Sequence, residues 1–355
     1  MYVEELSNTE EWENFALSMP SGTFYHSLKW KEVICKSYRH QPLYLVVKDT
    51  GGKVVGLSPG FITESLHTRI YDSIPHSDYG GPLIEGPHIA RASIAILDFL
   101  RELSPSQGLA YARFLLMGNT VKSHMISQIG CSESNVGVME IDLTTTPSQF
   151  IWNNIFSSHR RKKFHQTEKK GFQAREACAK SDLQIFYDLY LKDMTHIGAR
   201  PRPYSFMENA WDALFPSNIR LWILDNKEPV AAKFFFKFAQ KSFSVFVGLD
   251  RHVPKPAPVS PVDYLTWHEI KKAEEEGFSC VSMGTTPNDP HDNYFVQKSQ
   301  LGGKFHPQSM IWTPLSSSGQ ILVQMRSTGV HMWKKARSFL PSSFTRTLEG
   351  KLDAL

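Results

Sequence analysis

The side chains with the clearest chemical potential lie between residues 285 and 298, in a polar loop and the segment that follows it. The loop holds Asp289, His291 and Asp292, which could ligate a metal, but no ligand-spaced partner elsewhere completes a shell, so a polar turn is favoured. Lys298 follows, between apolar residues and a Gly-Gly turn. A lysine just beyond a strand-end loop is a candidate for stabilising an anion, and the alternative is a solvent-facing lysine.

The elements that precede this loop must position it. Residues 262–276 have the apolar spacing of an amphipathic helix, and Gly277, which tolerates positive φ, ends it. The apolar run 278–283 has the length of a strand, and we expect the strand to end at Gly284. Ligands collect at such strand ends in open α/β sheets, so this unit is predicted to carry a site.

A basic segment, residues 159–170, is a second candidate. Its cations are Arg160, Arg161, Lys162, Lys163, Lys169 and Lys170. No acidic residue lies between Arg160 and Thr167, so the local positive field is not cancelled. The segment is predicted to be a helix that either binds phosphates or presents a solvated cationic face.

The loop 75–87 is rich in glycine and proline. His76-Ser77-Asp78 has the letters of a catalytic triad, but triad members converge from distant positions, so we disregard it. Tyr79-Gly80-Gly81 would instead let a backbone approach a ligand closely. No glycine motif of a P-loop or dinucleotide-binding type follows a strand, which argues against those enzyme classes.

Composition bounds the class of protein. A chain of 355 residues exceeds one ordinary core, which favours two domains, and 41% hydrophobic with 12% aromatic residues indicates a globular fold. The formal net charge of +4 permits an anionic partner without requiring one. The four cysteines lack CxxC spacing, the N-terminus is acidic, and no apolar run reaches membrane-spanning length. We therefore expect a cytoplasmic protein without structural zinc or a disulfide framework.

The order of predicted elements repeats. Each half reads as helix, strand-turn-strand, loop, helix, strand and final strand, and the pairs Met117-Gly118 and Met283-Gly284 end corresponding strands. This predicts an α/β (α+β) fold of two tandem units with mixed β-sheets flanked by helices. The predicted bounds are 1–145 for the first unit, 146–177 for a basic helical connection, 178–315 for the second unit and 316–355 for a basic helical tail.

Several motifs, taken in order, resemble the FemAB-like branch of the GNAT acyltransferase superfamily. They are FYHSLKWKEVI, SDYGGP, HRRKKFHQTEKKGF, PVAAKFFFKF and PVDYLTWHEIKKAEEEGFSCVSMG, followed by YFVQKSQLGG. The family carries an aromatic-Lys-x-x-x-Gly stretch after the strand-end loop, and here two residues are inserted between Phe295 and Lys298.

The resemblance implies two tandem GNAT-like units that transfer an acyl or aminoacyl group to an amine of a cell-wall or surface-polysaccharide precursor, without a covalent intermediate. Lys298 would stabilise the oxyanion, with Tyr264 and Tyr294 as weaker catalytic candidates and Lys304 as the fallback. The candidate substrate-binding residues are Arg160, Arg161, Lys162, Tyr79, Gly80, Gly81 and Gly284. No tightly bound cofactor and no metal is expected.

The acyl donor would be a co-substrate, aminoacyl-tRNA or acyl-CoA. The stretch RHVPKPAPVSP stands where an acetyl-CoA enzyme would carry a glycine-rich pyrophosphate loop, and its prolines lack N–H donors, which favours an aminoacyl donor. Two alternatives stay open: an acyl-CoA-dependent N-acetyltransferase, and a non-catalytic protein that binds nucleic acid or an anionic glycan. The candidate partners are a small-molecule, glycan or peptide amine as acceptor, tRNA as the donor carrier, and a membrane surface in peripheral contact with the C-terminal tail.

Overall fold

The computed structural model describes residues 1–65, 68–73, 75–117, 131–133, 135–252 and 257–337. Its helices are α1 Thr9–Ser18, α2 Leu28–Tyr38, α3 Ile89–Gln107, α4 Ser148–Phe150, α5 Ser158–Lys169, α6 Lys180–Ile197, α7 Tyr204–Leu214, α8 Pro261–Glu275, α9 Asn293–Ser299 and α10 Ser317–Arg337. Its strands are β1 Tyr2–Glu5, β2 Gln41–Pro42, β3 Leu45–Lys48, β4 Val54–Ser58, β5 Phe61–Ser65, β6 Thr68–Asp72, β7 Leu83–Ile84, β8 Leu109–Met117, β9 Cys131–Glu133, β10 Val136–Asp142, β11 Gln173–Glu176, β12 Ile219–Asn226, β13 Glu228–Phe238, β14 Lys241–Leu249, β15 Cys280–Pro287 and β16 Lys304–Pro314.

The predicted helices begin and end at local sequence signals. The Asn8 side chain accepts hydrogen bonds from the backbone N–H groups of Glu10 and Glu11 and so caps α1. The basic segment forms α5, which Ser157 caps, and Gly171 follows at φ 84°. The helix α7 was not predicted; it packs against α2 and buries Phe206, Met207, Ala210, Trp211 and Leu214.

One sheet of twelve strands runs through both halves. Its order is β11-β12-β13-β14-β15-β10-β16-β8-β6-β5-β2, with β9 paired to β16. β10, from the first half of the chain, pairs antiparallel with both β15 and β16 of the second half. A smaller sheet has the order β1-β3-β4-β7. The centre of the molecule is therefore built from strands of both halves.

Two strand pairs of the described sheets are parallel, β6 with β8 and β14 with β15. The β14–β15 pairing stops at Phe243 and Ser282, although β14 continues to Leu249 and β15 to Pro287. The two strands therefore separate beyond these residues and leave an opening between them, which we call the β14–β15 opening.

The aromatic core also joins the two halves. Phe24 stacks on Phe236 with ring centroids 4.3 Å apart, and Trp30 meets Phe206 edge-on at 6.0 Å. All four rings are fully buried. Burial of such large apolar rings stabilises the contact between the halves by several kcal/mol.

The structure corrects one predicted boundary and leaves others outside the described residues. β15 does not end at Gly284 but continues through it to Pro287, because Gly284 adopts φ 75° within the strand. Gly118, the proline-rich residues 253–256 and the tail beyond 337 lie outside the described residues. None of the described helices is long and apolar enough to cross a membrane.

Candidate functional site

The loop between β6 and β7 lies across the central strands of the large sheet. We call residues 75–82 the crossing loop. Tyr79, 2% exposed, anchors it: its hydroxyl donates to Glu140 Oε1 on β10 at 2.8 Å and is hydrogen-bonded to Ser282 on β15. Burial, followed by the neighbouring Glu140 carboxylate, raises the pKa of Tyr79 well above its usual range. Tyr79 is therefore a neutral anchor that joins the two halves.

The glycines of the crossing loop bring its backbone close to β8. The Gly81 N–H donates to Ser73 Oγ at 2.7 Å, and Gly81 has φ 84°. A Cβ at Gly81 would lie 2.7 Å from the Leu115 carbonyl oxygen, and one at Gly80 would lie 3.0 Å from that of Ser73. Gly80 and Gly81 thus allow the loop to pass close to the backbone of Leu115 and Ser73. Their contact with a ligand stays a prediction.

Asp78, the neighbour of Tyr79, reaches the β14–β15 opening. Its Oδ1 accepts a hydrogen bond from Thr285 Oγ1 at 2.8 Å, and its backbone oxygen accepts one from Gln308 Nε2 at 2.6 Å. A Cβ at Gly284 would lie 3.5 Å from Asp78 Oδ2 and 3.0 Å from the Ser244 carbonyl oxygen. Glycine at 284 therefore makes room for the carboxylate between the two strands.

Lys298 also contacts this part of β15, residues 284–286. Its Nζ donates to the carbonyl oxygens of Gly284 at 3.3 Å and Thr285 at 2.7 Å, and to Thr286 Oγ1 at 3.1 Å. Burial lowers the pKa of Lys298 to about 8, and the neighbouring Asp78 carboxylate opposes this shift. The ammonium group is thus held at the open end of β15, with a proton that it can lose near neutral pH.

The helix α9 fixes Lys298 in this position. Asp292 caps the helix by accepting hydrogen bonds from the backbone N–H groups of Tyr294 at 2.8 Å and Phe295 at 3.3 Å. Tyr294, the weaker catalytic candidate, lies in the first turn of α9 with 57% of its surface exposed. Asp289 accepts a hydrogen bond from the His291 N–H, so this loop is a set of polar turns.

A second lysine of low pKa lies behind the first. Lys233, on β13, is 4% exposed, and its Nζ donates to Thr266 Oγ1 on α8 at 2.6 Å. Burial, then the Lys298 charge, lowers the pKa of Lys233 to about 7, while Asp263 opposes the shift. Lys233 can therefore lose its proton far more readily than a lysine in water.

Arg160, a predicted anion-binding residue, holds a buried carboxylate in the structure. Its Nη2 lies 2.7 Å from Asp263 Oδ2, and its Nη1 donates to Gln300 at 3.1 Å. Asp263 is 5% exposed and accepts a second hydrogen bond, from Gln297, the residue before Lys298. Arg160 thereby links α5 to α8 and α9.

Arg161 is similarly engaged, while Lys162 is exposed. Arg161 Nη1 donates to the backbone oxygens of Trp152 at 2.9 Å and Phe156. Lys162 forms no ion pair with any residue in the described part of the chain, and it lines an open groove of about 510 Å³ together with His165 and Lys169. Of the three predicted cations, Lys162 is the one free to meet an anion.

Tyr264 lies in the core of the second half. It is 3% exposed and packs on Phe164 and His268, with ring centroids 5.8 and 4.7 Å away. Burial raises the pKa of Tyr264 to about 12. Lys304, the fallback candidate, is exposed at the start of β16.

A cluster of three stacked rings, Tyr38, His40 and His76, lies beside the site in the first half of the chain, together with the Arg202 guanidinium. Tyr38 stacks on His76 with centroids 4.0 Å apart, and Nε2 of His76 lies 3.3 Å from Nε2 of His40. Arg202, from the second half, donates to Tyr38 Oη at 2.8 Å and to the His76 backbone oxygen. Burial, then the Arg202 charge, lowers the pKa of His76 to about 4, so this ring is neutral at pH 7.

Sequence reasoning missed three of these residues. Asp78 was set aside as part of a false triad, although its position in a glycine loop was a usable signal. Lys233 stands inside the apolar run PVAAKFFFKF, where a charged residue in a buried strand is itself unusual. Nothing in the sequence around Asp263 marks it as a buried residue near the site. Among the described residues, no group of three or more His, Cys, Asp or Glu side chains could hold a metal.

Part of the sequence and the overall fold are similar to those of known proteins. Residues 158–295 match the family described as acetyltransferase (GNAT) domain. No curated protein matches the sequence. The structure of FemX aligns with a TM-score of 0.69 at 14% identity, covering 91% of this chain and all of that one.

Two further structures are similar. The C-terminal domain of a putative lysylphosphatidylglycerol synthetase from Agrobacterium fabrum gives a TM-score of 0.59 at 11% identity, covering 90% of this chain and 95% of that one. A tandem GNAT protein from the clavulanic acid biosynthesis pathway gives 0.56 at 11% identity, covering 89% and 99%. At these identities the likeness is one of fold, and it confirms the predicted class of two tandem GNAT-like units with mixed sheets.

Proposed function

We propose that this chain, which has the tandem GNAT fold of the FemAB-like acyltransferases, transfers an acyl or aminoacyl group to an amine of a cell-wall or surface-polysaccharide precursor. The observation that carries the proposal is the position of Lys298 at the open end of β15, bonded to the carbonyl oxygens of Gly284 and Thr285. A cation of low pKa in a cleft between two halves is a frequent mark of a reaction centre.

Acyl transfer to an amine passes through a tetrahedral oxyanion. The Lys298 ammonium has three protons, and the bond to the Gly284 oxygen at 3.3 Å is the longest of its three hydrogen bonds. That proton can turn to the oxyanion as negative charge develops, so the interaction would be stronger in the transition state than in the ground state. Lys298 therefore acts as the oxyanion donor, the exposed Tyr294 is a secondary candidate, and the buried position of Tyr264 in the core argues against a catalytic role for it.

The two substrates would meet in the β14–β15 opening. Bringing ester and amine together there converts a bimolecular reaction into a local one, without a covalent enzyme intermediate. The exposed cations Lys162 and Lys169, in the groove along α5, would hold the anionic part of one substrate. Arg160 and Arg161 would support that groove through their own protein contacts.

The start of α8 favours an aminoacyl ester over acyl-CoA as the donor. A helix N-terminus binds a pyrophosphate through free N–H groups and its positive dipole. Here the first position is Pro261, which has no N–H group, and Asp263 places a carboxylate in the first turn. The missing N–H group removes a hydrogen bond to a pyrophosphate, and the Asp263 carboxylate repels one.

The function is tested by a donor panel. Purified protein is incubated with aminoacylated total tRNA or with acetyl-CoA, together with glucosamine or a nucleotide-linked amino sugar, and amide formation is followed by mass spectrometry. We expect an amide product from an aminoacyl donor and none from acetyl-CoA. A product from acetyl-CoA alone would establish the acyl-CoA alternative, and the lack of any product across the panel would count against acyl transfer.

A further inference from the structure

We propose that Asp78 is the general base of the reaction, so that the first half of the chain supplies the base and the second half supplies the oxyanion donor. The proposal rests on the proposed acyl transfer, because it assigns the proton that such a transfer must remove from the acceptor amine. The crossing loop carries Asp78 into the β14–β15 opening, where its carboxylate faces Gly284.

The two carboxylate oxygens of Asp78 have different environments. Oδ1 accepts the 2.8 Å hydrogen bond from Thr285 Oγ1, which fixes the orientation of the group. Oδ2 has no hydrogen-bond partner among the described residues, and the Asp78 side chain is partly exposed. One oxygen is thus held by the protein, and the other is available to a ligand.

The backbone around Asp78 is held on both sides. Gln308 binds its carbonyl oxygen, and the anchored Tyr79 follows it directly in the chain. Tyr25 stacks on Tyr79 with ring centroids 5.8 Å apart. A base must be positioned to within a fraction of an ångström, and these contacts supply that rigidity.

The charges around Asp78 suit a group that takes up and returns a proton. Burial raises the pKa of the Asp78 carboxyl, while the Thr285 hydroxyl and the Lys298 and Arg202 cations oppose the shift. A carboxylate that faces cations and is a stronger base than a free aspartate can accept a proton in the transition state.

The step balances in atoms and charge. The acceptor ammonium gives one proton to Asp78 Oδ2, and the neutral amine nitrogen then attacks the carbonyl carbon of the donor ester. The C–N bond forms, the carbonyl electron pair becomes the oxyanion beside Lys298, and the C–O bond to the leaving group breaks as the carbonyl reforms. The proton on Asp78 passes to the leaving alkoxide, and the second amine proton goes to solvent.

Asp78→Asn tests the role, because asparagine can still accept the Thr285 hydrogen bond but cannot accept a proton. We expect turnover to fall by about two to four orders of magnitude with a nearly unchanged Michaelis constant, and the acidic limb of the pH profile to disappear. The matched control is Asp289→Asn, a loop aspartate outside the site, which should behave as the parent.

A second variant separates chemistry from folding. Asp78→Ala opens the space of the carboxylate, and sodium formate, a small carboxylate, should restore part of its turnover. Turnover of Asp78→Asn within five-fold of the parent with an intact acidic limb, or no rescue of Asp78→Ala by formate, would overturn the proposal while leaving the acyl transfer standing. A parent without activity across the donor panel would overturn both.

Discussion

Asp78 and Lys298 are hydrogen-bonded to the same residue, Thr285. The Thr285 hydroxyl donates to Asp78 Oδ1 at 2.8 Å, and the Thr285 carbonyl oxygen accepts from Lys298 Nζ at 2.7 Å. The aspartate comes from the first half of the chain and the lysine from the second. The pairing of β10 with β15 and β16 fixes the relative position of the halves. This position therefore decides whether the two groups can act together.

The pH dependence of turnover should report the ionisation of Lys298. The lysine must be protonated to stabilise an oxyanion, and its pKa is lowered to about 8. With both substrates saturating, kcat should therefore fall as pH rises through about 8. In Lys298→Arg, which keeps its charge throughout this range, the descending limb should move beyond pH 10 even if the rate is reduced.

The pH profile of Lys304→Arg is the control, since Lys304 is exposed at the start of β16. It should retain the descending limb of the parent. A limb near pH 8 that persists in Lys298→Arg would show that another group is responsible for it.

Lys233 should make the stability of the fold depend on pH. Its pKa is lowered to about 7 by burial, against an ordinary value of 10.5. Between pH 7 and 10 the unfolded chain then binds more protons than the folded chain, so the free energy of unfolding rises with pH, by at most about 1.4 kcal/mol per unit from this group. Below pH 7 both states are protonated and this slope vanishes.

Lys233→Met removes the titrating group and keeps the apolar stem. Urea denaturation of parent and variant at pH 6, 8 and 9.5 should show a steeper rise with pH for the parent. Parallel stability curves across this range would mean that Lys233 does not titrate there.

Two cations of α5, Arg160 and Lys162, should have different roles. Arg160→Ala leaves the buried Asp263 carboxylate without its cation, and breaking a buried pair of this kind costs about 3–5 kcal/mol of stability. Lys162→Ala removes an exposed charge and should change stability by less than about 0.5 kcal/mol. It should instead weaken the binding of inorganic pyrophosphate, measured by calorimetry, with the largest effect at low salt.

Lys227→Ala, another lysine that is exposed but lies outside the groove, controls for net charge. Equal loss of pyrophosphate affinity in Lys162→Ala and Lys227→Ala would assign the effect to the overall charge of the protein. A stability loss in Lys162→Ala as large as that in Arg160→Ala would contradict the separation of roles.

The sequence was sufficient for the local elements and for the placement of Lys298 after a strand-end loop, while the role of Lys298 stays a prediction. The capping Asn8, the apolar spacing of α8 and the lysine after a strand-end loop are local signals, and α1, α8 and Lys298 lie where they indicate. The fold that the resemblance to FemAB-like acyltransferases implies is confirmed by the similarity to the FemX structure, and residues 158–295 match an acetyltransferase (GNAT) domain.

The other side of the site depends on contacts that no local pattern encodes. Asp78 is held by Gln308, which is 230 positions away in the chain. The pairing of β10 with β15 and β16 is similarly remote, because antiparallel pairing leaves no mark on either strand alone. The continuation of β15 through Gly284 was missed because glycine ordinarily signals the end of a strand.

The turnover of Lys298→Met decides whether Lys298 stabilises the oxyanion. Methionine keeps the apolar stem and removes the charge, so the fold should be retained, as thermal unfolding can verify. With the donor and acceptor that the parent accepts, kcat should fall by about two to three orders of magnitude, the scale of losing one oxyanion donor, while acceptor binding changes little. Lys304→Met, at an exposed lysine on β16, should retain the parental rate. A Lys298→Met enzyme that turns over within a few-fold of the parent would contradict the account.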